Sequence, residues 1–289
     1  MTYSLKINED NRGKRIDKLL AEQLPQFPRT ALQKLFTLEK VTLNQNIARP
    51  GAKLRTGDMI VADLTPLDVK IADIDLPIIY QDKNVLVINK PSGVISHARG
   101  RYFDEPSVAS FVRQISHQQG ERAGIVHRLD RATSGVMITA KNQDTLSYLQ
   151  KQFSNRSVKK TYVAIVAGRL PTEIGVIDMP IGRNPNKPQT FMATKDGRES
   201  KTRYKILAQN NQYSLVELSP ETGRTHQLRI HLREIGHPII GDELYGGADA
   251  SRLMLHAISL EITIPDGNRQ IFTAPIPSEF NTLIENQDG

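Results

Sequence analysis

The chain has 289 residues, enough for one medium domain or a medium domain with a small one, and its 38% apolar residues can bury an ordinary core. Lysine and arginine outnumber aspartate and glutamate by 38 to 31, a formal charge of +7 with a pI of about 9.5, which favours a polyanionic partner. No cysteine occurs, which excludes disulfide scaffolds, cysteine nucleophiles, thiolate zinc sites and iron–sulfur clusters, and fits a reducing cytoplasm.

The opening segment carries Lys6, Glu9, Asp10 and Arg12 where a signal peptide needs an apolar run. No later stretch approaches the roughly 20 apolar residues of a membrane span. A soluble, cytoplasmic protein is expected. The first 67 residues hold 11 basic against 7 acidic side chains, +4 of the total +7. Ile16, Leu19, Leu20 and Leu24 recur at helical spacing; after the Pro25–Pro28 break, Thr30 can cap a second helix carrying Ala31, Leu32, Leu35 and Phe36. Val41–Leu43 and Met59–Ala62 read as brief strands, the second entered through a Thr56-Gly57-Asp58 turn. This predicts a small α/β domain over 13–65, followed by a proline-bounded linker over 66–77.

From Ile78 the character changes. IIYQDKNVLVINKP predicts a β-hairpin turning at Asp82-Lys83-Asn84. GIVHRLD and SGVMITAK are apolar runs bracketing a polar knot; a helix over Asp144–Phe153 follows, then strands at KKTYVAIVAG, Lys201–Ala208 and Tyr213–Leu218. Irregular interspersion of helices among many strands predicts an α+β domain over 78–285, with a central mixed, mostly antiparallel sheet flanked by helices and loops.

Several chemistries fail on spacing. Ser134 precedes a glycine but lacks the one two residues earlier that a nucleophile elbow requires. There is no GxxxxGK[ST] and no strand-linked GxGxxG. His226 and His231 are five apart with no HExxH glutamate between them, which argues against a metal; zinc-dependent base deamination needs cysteines. What remains are two polar concentrations. A strand alternating through Val126, Arg128 and Asp130 would aim Arg128 and Asp130 to one side of a sheet, against the alternative of a surface turn with a structural Asp–Arg pair. A helix over Thr225–Ile235 would gather His226, Arg229 and Arg233 on one face and Leu228, Leu232 and Ile235 on the other. With no acidic partner between them, those cations need an RNA phosphate or a buried carboxylate from elsewhere.

HRLDRATSGVMITAK, then KKTYVAIVAG, TGRTHQLRIHL with GHPIIGDELYGG, and RLMLHA follow one another in the order found in the RluA-type family of RNA pseudouridine synthases, which the span Ile78–Ala257 resembles. Gly13–Asp63 resembles the small RNA-binding domain named for the fourth small-subunit ribosomal protein. The resemblance implies isomerisation of specific uridines in structured RNA, with large-subunit ribosomal RNA the expected substrate and transfer RNA the alternative. It further implies no cofactor, no metal, no membrane association, no obligate protein partner and a monomer. Residue by residue, it implies that Asp130 is the essential carboxylate and Arg229 its cationic neighbour, offsetting desolvation by opposite charge. Tyr162 corresponds to the active-site tyrosine, stacking on the extruded base and assisting at C5. Arg128 fills the space left by the flipped nucleotide, and Leu255 forms an apolar wall. Lys14, Arg15, Arg29, Lys34, Lys40 and Arg49 are candidate phosphate contacts. The chain departs from the family's pattern in two places. Ala132 stands where many members carry an acidic residue, and Leu38–Val41 and Leu43–Asn46 replace glycine-containing turns. Two other classes stay open: a noncatalytic RNA-binding or ribosome-assembly factor, and a glycosylase acting through Asp130 at C1′.

Overall fold

The computed structural model describes residues 1–27, 29–67, 73–97, 105–116, 118, 122–188 and 190–285. The chain divides into two units, one built chiefly on Met1–Asp73 and the other on Ile74–Ser96, Ser107–Gln119 and Ala123–Gly289. In the first unit, β1 (Thr2–Lys6) precedes α1 (Ile16–Gln23) and α2 (Arg29–Thr37), then β2 (Val41–Leu43), β3 (Asn46–Ile47) and β4 (Met59–Asp63). Ile16, Leu19 and Leu20 of α1 pack with Leu32, Val41 and Ile60 in a common core. The sheet order is β1-β4-β2-β3, with all three pairings antiparallel.

Two differences from the sequence reading stand out. The unit begins before residue 13, because β1 pairs with β4 from Thr2↔Asp63 to Lys6↔Met59 and turns Tyr3 and Leu5 inward. The helix α2 starts at Arg29, so Thr30 already lies within its first turn. Most of the expected linker, residues 68–72, lies outside the described residues. The turn without glycine keeps glycine's geometry: Asn44 (φ 51°) and Gln45 (φ 69°) join the paired Leu43 and Asn46 as a two-residue hairpin with both central residues left-handed. Asn44 tolerates this and anchors the turn, its Oδ1 accepting from Met59 N at 2.8 Å and its Nδ2 donating to Asp58 Oδ1 at 2.8 Å. Gln45 has no such compensation.

The second unit contributes β5 (Ile78–Gln81), β6 (Val85–Lys90), α3 (Val108–Ser116), β7 (Ser134–Ala140), α4 (Gln143–Ser154), β8 (Lys159–Ala167) and β9 (Ile174–Asp178). A short pair, β10 (Ile181–Arg183) and β11 (Phe191–Ala193), stands apart; then come β12 (Lys201–Gln209), β13 (Tyr213–Pro220), α5 (Gln227–Glu234), β14 (Leu255–Thr263), β15 (Arg269–Thr273) and α6 (Ser278–Glu285). One nine-stranded sheet runs β5-β6-β7-β14-β8-β13-β12-β9, with β15 on β14. Every pairing is antiparallel except β7 with β14, so the sheet is mixed and mostly antiparallel in an α+β fold. The β5–β6 hairpin turns at Asp82, whose Oδ1 accepts from Asn84 N and Val85 N, both at 2.7 Å. Asn142 caps α4, accepting from Thr145 N at 2.9 Å.

At the parallel junction β7 and β14 approach so closely that a Cβ on Gly135 (φ +116°) would lie 2.2 Å from Ala257 O. This places the start of β7, the start of β14 and the middle of β8 side by side at the centre of the sheet. Among the described residues no helix is long and apolar enough to cross a membrane.

Gln45→Gly should stabilise the chain by about 0.5–1 kcal/mol, since glycine adopts a left-handed φ without the Cβ penalty; urea titration reads this as a higher midpoint at unchanged slope.

Candidate active site

The segment expected as a strand through Val126, Arg128 and Asp130 is instead an irregular loop entering β7. Side chains supply much of its backbone bonding in place of a continuous ladder. The Ser96 hydroxyl donates to Leu129 O at 2.7 Å and accepts from Leu129 N at 3.1 Å. The His127 Nε2 accepts from Ile138 N at 3.2 Å while its ring stacks on Phe153. Lys90 is fully buried at the end of β6 and donates to the carbonyls of Pro91, Val94 and Arg131 at 2.8, 2.7 and 3.2 Å. Burial pulls its pKa down to about 7, against the charge of Asp130. Beyond the loop, the Ser134 hydroxyl lies 2.7 Å from His256 Nδ1 and accepts from Arg252. The loop carrying Asp130 is thus tied to Ser96, to Lys90 at the end of β6 and to Ile138 of β7.

From the other side comes α5. His226 precedes it in a left-handed conformation (φ 56°), which turns its ring toward Asp130, with Nε2 3.8 Å from Asp130 Oδ2. Phe191 N donates to the Tyr245 oxygen at 3.2 Å, and that oxygen lies 2.8 Å from His226 Nδ1. The phenol oxygen thereby holds the imidazole in place with its Nε2 facing the carboxylate. Burial holds the His226 pKa below its ordinary value even beside Asp130.

Arg229 is buried and has two acidic neighbours, which it treats differently. Its Nε and Nη2 grip Asp242 at 2.7 and 2.6 Å, and its Nη1 stays 3.9 Å from Asp130 Oδ2. Its guanidinium lies over the Tyr245 ring, 5.0 Å from the centroid. Burial opposes the charge, yet the hydrogen bonds and charge of Asp242, with that of Asp130, raise the pKa above the usual guanidinium value.

Asp130, His226 and Arg229 border a cavity of about 290 Å³, which Arg128, Tyr162 and Leu255 also line, near the lower end of small-molecule pockets at about 300–1,000 Å³. Leu255 gives it an apolar wall and Arg128 is exposed at it. Tyr162 is half-buried by surface area; burial and the charge of Asp130 both raise its phenol pKa, so the ring stays neutral. A carboxylate faced by a guanidinium and an imidazole without a direct hydrogen bond, with a phenol and an aliphatic wall in the same cavity, can hold a planar polar ring and act on it as a nucleophile or base.

Asp130, Arg128, Tyr162, Arg229 and Leu255 therefore converge, while Arg233 turns to Glu234 at 3.7 Å. The sequence reading missed Asp242 and Tyr245, although a cationic face short of a carboxylate was a sign, and GDELYGG held two, Asp242 and Glu243, between glycines. In the first unit, Arg15 (2.9 and 3.1 Å) and Arg29 (2.9 Å) both clasp the buried Asp17. Burial works against that carboxylate, yet the two arginines hold its pKa below the ordinary value. Lys14 meets Glu22 at 2.9 Å and Lys40 meets Asp63 at 3.5 Å. Lys34 is half-buried on α2, and Arg49 is exposed.

Residues 84–234 match the family described as RNA pseudouridylate synthase. The chain is 35% identical to the uncharacterized RNA pseudouridine synthase YlyB of Bacillus subtilis over 96% of each chain. It is 39% identical to the ribosomal large subunit pseudouridine synthase D of Borreliella burgdorferi, covering 74% of this chain and 69% of that one. The solved structure of human RNA pseudouridylate synthase domain containing 1 superposes with a TM-score of 0.59 at 28% identity, covering 70% of this chain and 83% of that one.

Asp242→Ala should destabilise the fold by about 3–5 kcal/mol by leaving a buried guanidinium unpaired, whereas Asp130→Ala should cost far less; chemical denaturation of the two variants separates them. Burial lowers the pKa of His127 to about 3 and of His256 to about 4, whereas unfolded histidine titrates near 6.5. Their contribution is fully present above about pH 6.5 and is lost as the pH falls from there toward 4 and 3, because the unfolded chain takes up the protons first. The slope is up to about 1.4 kcal/mol per histidine per pH unit, and His127→Gln should flatten it in urea titrations between pH 7.5 and 5.

Proposed function

We propose, for a chain that belongs to the RNA pseudouridylate synthase family, that Asp130 is the carboxylate through which it isomerises uridine, and that its substrate is large-subunit ribosomal RNA. The chain is an RNA pseudouridine synthase. Its reaction breaks the N1–C1′ bond, turns the uracil and joins C5 to C1′; C5 loses a proton and N1 gains one, so the product is an isomer. One carboxylate can carry this by attacking the sugar, attacking the base or removing a ribose proton.

The observation that carries the assignment is the division of labour at Arg229. Its bidentate grip goes to Asp242, and the 3.9 Å approach of Nη1 to Asp130, with the 3.8 Å approach of His226, leaves the Asp130 oxygens free of direct hydrogen bonds from either. The carboxylate is surrounded by compensating charge yet open to a substrate atom. Tyr162, kept neutral, serves as a stacking surface and hydroxyl donor for the extruded base, and Leu255 backs the same pocket. Arg128 lies exposed beside Asp130, in position to enter the stack the uridine leaves. We assign RNA binding by the first unit to the exposed Arg49 together with Lys14, Arg15, Arg29, Lys34 and Lys40. The ribosomal substrate is supported by the relative named ribosomal large subunit pseudouridine synthase D.

Asp130→Asn should lower pseudouridine formation at least about 100-fold while RNA affinity stays within a few-fold; retained turnover would sink the assignment. Release of free uracil, in place of a product of unchanged mass, would identify a glycosylase. Mapping pseudouridine across total RNA of cells with and without the gene should show loss of sites in large-subunit ribosomal RNA, and loss confined to transfer RNA would redirect the substrate.

A further inference from the structure

Next to the cavity at Asp130 lies a second hollow of about 390 Å³, which shares Phe153, Lys160 and Thr222 to Arg224 with it and extends over Arg156, Val158 and Glu221. The reaction as derived above uses none of its cations. Glu221 is already engaged by residues outside the lining, by Arg203 at 2.7 Å and Lys201 at 3.9 Å. Arg224 directs Nε to the backbone carbonyl of Glu199 at 3.0 Å. Arg156 stands 3.6 Å from the Glu199 carboxylate in an exposed pair, the kind of contact that binds weakly and exchanges readily. Lys160 is half-buried on β8, and its ammonium donates to the Thr222 carbonyl at 3.3 Å; among the described residues it has no carboxylate within ion-pair distance. Burial lowers its pKa, and a charge so placed gains from any anion that reaches it.

The backbone adds an independent sign. Arg156 sits at φ +57° in the turn between α4 and β8, a conformation that glycine or asparagine adopts at least cost, yet the residue there carries a long cation bordering the hollow.

We propose that this hollow is a phosphate subsite, in which Arg156, Lys160 and Arg224 hold the phosphodiester joining the nucleotide at Asp130 to its neighbour in the RNA strand. The inference rests on the reading that the Asp130 cavity receives a uridine. The shared wall places the subsite one step along the strand from that uridine, so the grip fixes the register of the chain as the base swings out. Charge-assisted hydrogen bonds at a partly buried cation are the strong ones.

The test compares uridine, uridine 3′-monophosphate and uridine 5′-monophosphate by NMR titration of the full chain. One of the two monophosphates should bind about tenfold more tightly than uridine. That advantage should vanish in Lys160→Met and shrink in Arg156→Asn, whose asparagine keeps the left-handed turn, and Lys160→Arg should restore it. On ribosomal RNA from cells lacking the gene, Lys160→Met should raise KM about tenfold with a far smaller change in kcat, and should reduce the salt slope by about one charge. Equal affinity of the wild-type chain for all three probes, or a phosphate advantage that survives both substitutions, overturns the subsite. If the wild-type chain forms no pseudouridine in any RNA, the functional reading fails instead, and the titration still decides whether the hollow binds phosphate.

Discussion

Arginine never sheds its proton in a folded protein, so a buried arginine must be answered by a fixed anion. Here that anion is Asp242, and much of the second unit's centre follows from the pair. Arg229 extends from α5 and Asp242 from the turn after Ile239 and Ile240, both buried in the main core. Tyr245, three residues on, donates its backbone N–H to Asp242 and offers its ring to the guanidinium and its hydroxyl to His226. One ion pair therefore sets the position of a helix, a turn, an aromatic ring and an imidazole, and of these the helix and the imidazole line the cavity at Asp130.

The arrangement separates two demands that would conflict in a single carboxylate. An aspartate that anchors a buried guanidinium through two short hydrogen bonds has its lone pairs committed, and its reaction with a substrate would first have to break them. Splitting the tasks lets Asp242 carry the structural pairing while Asp130 receives the field of the same cation from 3.9 Å. The neutral Tyr162 and the low-pKa His226 fit the same logic: they line the cavity beside Asp130 without adding to the charge of Arg128, Lys160 and Arg229.

What the residues reveal before folding depends on the range of the interaction. The hairpin at Asp82 and the helix capped by Asn142 are local, fixed by side chains that bond two or three positions away, and were legible as pattern. The loop holding Asp130 was misread as a strand because its alternation mimics one, whereas its hydrogen bonds come from Ser96 and Lys90, more than thirty residues earlier. β1 has too few apolar residues to signal itself and exists because β4 offers an edge. Asp242 could be inferred as a need, from cations on one helix face, but not as a position, since its pairing is a product of the turn after α5. In the first unit, composition drew attention to Arg15 and Arg29 as cations without revealing that Asp17 lay between them.

The close contact at Gly135 carries a consequence for how the molecule is made. The β7 strand meets its parallel neighbour β14 through residues 122 positions apart, Ser134 with His256, and β8 reaches the hairpin side of the sheet only through β14. While the chain is still emerging from the ribosome, the sheet must remain in two halves with open edges until residue 257 and its successors arrive. The loop bearing Asp130 is made early, but β14, which brings Leu255 to the cavity beside it, is among the last strands to be synthesised, so nascent and truncated chains lack the complete pocket.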